Sequence, residues 1–132
     1  MKTTAIDTNV LLDFALKRKP RYKSVSDLFQ DCTNLKVRIY ISLAIFLEAE
    51  WVLRSYYKQP KEIITSFFEE LILIPNLMTD KKDNLKLSLS LYKNSKQISF
   101  TDCMILVQIK NYKSDEFLTF DKNLEKVYNS LL

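Results

Sequence analysis

Val10, Leu11, Phe14 and Ala15 recur at helical spacing behind a short apolar run, Thr3 to Ile6, that ends on Asp7. The pattern predicts a strand followed by a helix that stops at the basic run from Lys17. Pro20 suits the first turn of a second helix reaching about Asn34, with Tyr22, Val25, Leu28 and Phe29 on one side. Val37 to Ile41 is rich in β-branched residues and reads as a strand. Ser42 is an N-cap candidate ahead of a nearly all-round apolar helix, Leu43 to Tyr57, and Pro60 opens another containing Ile63, Ile64, Phe67, Phe68, Leu71 and Ile72. Beyond Pro75 a more polar helix spans roughly Asp80 to Asn94. Ser99 begins the next, to about Tyr112, with Ile105, Leu106 and Ile109 inward. Glu116 to Phe120 is the last strand candidate, and Lys122 to Leu131 the closing helix.

Short strands alternating with helices predict an α/β fold with a parallel sheet, and such sheets place their ligand crevice at the carboxyl ends of the strands. Asp7 and Asp121 both fall at such ends in this pattern. No repeat, low-complexity segment or linker divides the chain, so residues 1–132 are expected to form a single domain. No apolar run approaches the about 18 residues of a membrane span, and Asp7 interrupts the opening where a secretory signal needs unbroken apolar residues. A cytoplasmic protein is expected, and two isolated cysteines, Cys32 and Cys103, suit that reducing setting.

Composition narrows the chemistry mainly by what is missing. There is no histidine, so Ser-His-Asp triads, His general bases and HExxH zinc sites cannot be built. There is no glycine either, which removes the Gly-rich loops that cradle nucleotide phosphates. A net charge of +4 favours polyanionic partners.

Among the 16 acids, those without a nearby cation and with apolar neighbours are the informative ones. Glu50 has Arg54 four residues on and reads as half of an exposed ion pair. Glu48 is flanked at helical spacing by Ala44, Ile45, Trp51 and Val52, so its carboxylate leaves an apolar sector unpaired, a costly burial that a metal would relieve unless the side chain reaches solvent. Asp7 is either the N-cap of the first helix or, with Thr8 and Asn9 capping instead, a free carboxylate in the crevice. Asp102 competes between a capping box with Ser99 and a core-side position beside Ile98, Ile105 and Leu106. Asp121 sits between strand and helix, where caps are common. Several such carboxylates together, without histidine or cysteine, form a hard oxygen site suited to Mg²⁺ or Mn²⁺ and to metal-assisted hydrolysis of a phosphodiester.

These residues also carry a family resemblance. Ala5-Ile6-Asp7-Thr8-Asn9-Val10-Leu11-Leu12 resembles the opening strand and helix of PIN domains. Ile41-Ser42 leading to Glu48-Ala49-Glu50-Trp51-Val52-Leu53-Arg54 resembles the second block of VapC-type toxins, in which the acid three residues before the tryptophan is the catalytic one. Ser99-Phe100-Thr101-Asp102 resembles the family's Asp-Phe-x-Asp block, and Leu118-Thr119-Phe120-Asp121 its closing Thr-x-Asp. The resemblance implies a three-layer α/β/α fold around a four- or five-stranded parallel sheet. It also implies an endoribonuclease toxin of a toxin-antitoxin pair, acting as a homodimer and held in check by an antitoxin protein. Asp7, Glu48, Asp102 and Asp121 would hold Mg²⁺ or Mn²⁺ and its water, with Asn9 and Thr119 in support. Ser99 stands where many relatives have a further aspartate, which implies a less acidic site.

Lys17-Arg18-Lys19-Pro20-Arg21-Tyr22-Lys23 is the densest cationic stretch. It is either a solvated loop or a grip on RNA, with Arg18, Lys19, Arg21 and Lys23 on phosphates and Tyr22 stacking on a base. Arg54 could contribute if Glu50 does not hold it. Three rival classes fit less well. A haloacid-dehalogenase-type phosphatase needs a second acid where Asn9 stands. A receiver-like domain needs adjacent acids after the first strand. A PIN module that binds RNA without cutting it would not need all four acids.

Overall fold

The computed structural model describes residues 1–131. Its contacts divide the chain into two compact units, Met1–Lys82 and Asp83–Leu132.

The first unit runs β1 (Thr3–Ala5), α1 (Thr8–Leu16), α2 (Tyr22–Thr33), β2 (Arg38–Tyr40), α3 (Leu43–Ser55), α4 (Lys61–Ile72) and β3 (Leu77–Met78). The strands form one sheet in the order β1-β2-β3, and both pairings are parallel, with Thr4 opposite Ile39 and Ile39 opposite Leu77. Parallel neighbours require crossovers, which the helix pairs α1–α2 and α3–α4 supply. The ladder runs one residue past the strand ends, through Ile6 N–H to Tyr40 O at 3.2 Å and Ile41 N–H to Met78 O at 2.9 Å. Asp7, Ser42 and Asp80 therefore share the carboxyl edge of the sheet.

This unit's core is apolar and aromatic. Leu11, Phe29, Ile39, Ile41, Phe46, Ile64, Phe68 and Leu77 are all buried. Phe14 stacks on Phe29 with centroids 3.9 Å apart, and Phe46 meets Phe68 edge-on at 5.1 Å. Each such ring contributes about 1.5–3 kcal/mol through the water it sheds.

The sheet has three strands among the described residues, not the four or five expected. The strands themselves also differ from those read in the sequence. β3 is a two-residue strand, too short for an alternation to register in the sequence. The Glu116 to Phe120 segment is not a strand at all: its β-prone Leu118 and Phe120 remain 78% and 92% exposed, and it pairs with no neighbour among the described residues.

The second unit contains α5 (Lys82–Asn94), α6 (Phe100–Tyr112) and α7 (Lys122–Ser130). Leu85, Leu89, Phe100, Cys103, Met104 and Leu106 are buried, and the Tyr92 and Phe100 rings pack at 5.5 Å. Ile105, expected inward, is 40% exposed because the buried face of α6 runs through Phe100, Cys103, Met104 and Val107. α2 begins at Tyr22 rather than in the turn at Pro20.

Where a helix of this glycine-free chain closes in the left-handed region, it does so on a residue that pays a steric penalty there. Lys17 (φ 53°) closes α1 and Lys113 (φ 62°) closes α6. Leu35, Lys58 and Lys81 adopt the same conformation elsewhere.

Candidate functional site

Asp7 is the N-cap of α1, where its Oδ1 accepts the Val10 N–H at 3.1 Å. Thr8 and Asn9 lie inside the helix, so of the two alternatives for Asp7 the N-cap is the one realised. Capping uses one oxygen only: Asp7 is exposed, and its Oδ2 takes no hydrogen bond among the described residues. Asn9 is exposed too, and its backbone carbonyl accepts Arg18 Nη2 at 3.1 Å.

The two glutamates of α3 exchange the environments predicted for them. Glu50 is buried, 1% exposed, and takes Arg54 Nε on Oε2 at 2.7 Å and Nη2 on Oε1 at 3.4 Å. Glu48 is exposed, together with Ala44 and Trp51 on its face, so no burial cost needs relief there. The reason lies in packing. α3 rests on α1 and α4 through Phe46, Ala49, Glu50 and Leu53, and the helix turns its Ala44-Glu48-Trp51 side to solvent. Glu48 has no ion-pair or hydrogen-bond partner among the described residues.

In the second unit Asp102 and Ser99 form a full capping box at the start of α6. Ser99 Oγ accepts the Asp102 N–H at 3.0 Å, and Asp102 Oδ2 accepts the Ser99 N–H at 3.5 Å. Asp102 is half-buried. Asp121 caps α7, its Oδ1 accepting the Asn123 and Leu124 N–H groups at 2.9 and 3.1 Å. Thr119 supports it as expected, its Oγ1 accepting the Asp121 N–H at 3.1 Å. Three of the four predicted acids are thus helix caps, each with an oxygen left over. None of the four is ion-paired among the described residues, whereas Asp13, Asp27 and Glu50 are.

The basic run is organised by a residue that sequence reasoning missed. Asp13, on α1, has no exposed surface. Its Oδ1 accepts Arg18 Nε at 2.8 Å and its Oδ2 accepts Arg21 Nε at 2.7 Å. Arg21, then Arg18, hold the Asp13 carboxyl below its ordinary range, against the opposing effect of burial. Arg18 also donates to the Tyr57 hydroxyl at 2.9 Å. Tyr22 packs on Phe14 at 6.5 Å, and exposed Lys23 faces Asp27 at 3.5 Å. The stretch is therefore neither a plain solvated loop nor a free cationic patch, since its two arginines already neutralise a buried acid. An acid inside the Leu11-Leu12-Asp13-Phe14 run was the available signal.

A second missed acid, Asp80, closes the carboxyl edge of the sheet. It accepts the Tyr40 hydroxyl on Oδ1 and the Leu43 N–H on Oδ2 at 3.2 Å, joining the ends of β2 and β3 to the start of α3. The Tyr40 hydrogen bond, then the Leu43 N–H, lower the Asp80 carboxyl, and Asp80 in turn raises the Tyr40 phenol.

Among the described residues no three His, Cys, Asp or Glu side chains are grouped so as to hold a metal ion. Taken one by one, the four predicted acids carry hard carboxylate oxygens of the kind Mg²⁺ and Mn²⁺ take. A family model for the PIN domain matches residues 4–130, and the chain belongs to the PIN-domain family. PIN domains are generally metal-dependent nucleases. No curated protein matches the chain. No helix among the described residues is long and apolar enough to cross a membrane.

Proposed function

We propose that residues 1–132 act as one PIN domain that hydrolyses RNA phosphodiester bonds internally, as the toxin of a toxin-antitoxin pair in the cytoplasm. A cognate antitoxin protein and a second copy of the chain are the proposed partners. Asp7, Glu48, Asp102 and Asp121 would hold Mg²⁺ or Mn²⁺. The observation that carries this reading is that Asp7 and Asp121, at positions matched to the family's motifs, are each fixed by helix N–H groups through one carboxylate oxygen while the other takes no hydrogen bond among the described residues. Free carboxylate oxygens of this kind are the hard donors that a divalent cation such as Mg²⁺ takes.

When bound, the ion would orient and activate water and offset charge on the scissile phosphate. The chain's own contribution is orientation. Helix N–H groups fix Asp7 and Asp121 through one oxygen each, so the second oxygen is presented without rotameric loss. Thr119 holds the Asp121 backbone, and Ser99 the Asp102 backbone. With no histidine available, protons leave through water or these carboxylates.

The test is incubation of purified, antitoxin-free chain with a pool of structured cellular RNAs under Mg²⁺ or Mn²⁺, beside a chelator control. Discrete products that need the metal support the proposal and identify the cut. A folded chain that binds RNA yet leaves it whole under both metals would make it a binding module.

A further inference from the structure

α3 exposes one stripe that neither the core nor an ion pair claims. Residues three and four apart on a helix are neighbours, with Cβ atoms about 5–6 Å apart. Ala44, Glu48 and Trp51 follow that spacing and are all exposed. Trp51 is the chain's lone tryptophan and keeps 58% of its surface in solvent. The nearest cation on the helix, Arg54, turns instead to Glu50. A broad apolar patch would indicate a protein partner. Here one large π-face adjoins a carboxylate, with a small alanine one turn beyond that carboxylate, on a chain whose net charge of +4 favours polyanions.

From this juxtaposition we infer that Trp51 is a stacking platform for an unpaired RNA base, which delivers the adjoining phosphodiester to Glu48. The inference rests on the nuclease reading and deepens it. Bases stack on aromatic faces irrespective of identity, so the platform selects single-stranded over duplex RNA without reading sequence. Ala44, one turn before Glu48, leaves the surface beside the carboxylate open to the incoming strand.

A lone tryptophan makes its own reporter. Full-length chain in chelator is titrated with a single-stranded oligouridylate, with a duplex of equal length, and with an abasic ribose-phosphate oligomer, following tryptophan fluorescence. Saturable quenching by the single strand alone is expected, and it should persist in Glu48→Gln while that variant loses cleavage. Trp51→Ala should raise KM and the Kd for labelled RNA about 5- to 150-fold, the equivalent of ~1–3 kcal/mol per stacked base, with kcat little changed; Trp51→Phe should restore most of it. Cleavage of RNA by a chain whose fluorescence does not respond, and whose Trp51→Ala variant keeps its KM, would overturn the platform alone. A blue shift that tracks protein concentration and a sedimenting dimer, without RNA, would overturn it in favour of a protein interface. Quenching by a chain that cuts no RNA under any metal would leave the platform standing and remove the nuclease.

Discussion

Replacing Asp13 by alanine removes a buried acid that Arg18 and Arg21 share. In the native chain the carboxylate has no exposed surface and receives Nε hydrogen bonds at 2.7 and 2.8 Å. Breaking a buried pair by deleting one partner costs about 3–5 kcal/mol when the remaining charge stays dry. Here the survivors are not dry: the Arg18 side chain is 27% exposed and Arg21 65% exposed, so water recovers much of their solvation. The balance is a loss of about 2–3 kcal/mol, mostly from Arg18, which is also held by Tyr57 and the Asn9 carbonyl. For a chain of this size that lowers Tm by roughly 6–12 °C. Urea unfolding followed by Trp51 fluorescence reads the first unit directly, since Trp51 belongs to it. A parallel Arg18→Met variant and the double mutant measure the coupling, expected at about 1 kcal/mol or more. An Asp13→Ala chain with an unshifted urea midpoint would refute the idea that this ion pair anchors the turn between α1 and α2.

Three further outcomes follow from the same geometry. Stability should fall on acidification: Asp13 and Asp80 have lowered carboxyl values in the folded chain, so their contribution is present above about pH 4, the unfolded value, and drains away as pH drops through the folded ones; a flat urea midpoint between pH 6 and pH 2 would contradict this. At the alkaline end the signs reverse, because burial raises the Cys32 thiol and Asp80 raises the Tyr40 phenol. That contribution is intact below about pH 8.5–10 and is lost as pH climbs through the folded values, so alkaline unfolding should come earlier in the wild type than in a Cys32→Ala, Tyr40→Phe chain measured relative to its own neutral midpoint. Lys113→Gly should stabilise the second unit by about 0.5–1 kcal/mol by relieving a left-handed lysine, visible as a higher melting midpoint by circular dichroism.

Where sequence and structure agree, the signal is local. Ser42 accepts Ala44 N–H, Pro60 stands immediately before α4, and Ser99 with Asp102 completes a capping box; each is a short-range hydrogen-bonding pattern that the residue types announce. Helical periodicity located α1 to α4 for the same reason. What failed was orientation. α3 is apolar on nearly every side, so local neighbours cannot say which face packs, and the i,i+4 spacing of Glu50 and Arg54 suggested solvent for the carboxylate that the core takes. Asp13 escaped notice because its cations stand five and eight residues on, brought back by the left-handed turn at Lys17. The segment through Leu118 and Phe120 has strand-forming residues but no strand beside it among the described residues, and propensity alone cannot supply that neighbour. The candidate acids were legible by type and position, and three of them carry a capping duty that the sequence offered as the alternative.

The proposed metal role, set beside the observed capping, makes one kind of substitution unusually clean. Asparagine caps a helix as well as aspartate but offers a metal no negative charge, so Asp7→Asn and Asp121→Asn separate the two roles. The decisive measurement is the rate of RNA cleavage by these variants in Mg²⁺ or Mn²⁺, alongside their melting midpoints. The account predicts wild-type stability with cleavage reduced about 100-fold or more, equal to ~2.7 kcal/mol or more of lost transition-state stabilisation. Variants that cleave RNA at the wild-type rate would mean that the carboxylates cap their helices and nothing else.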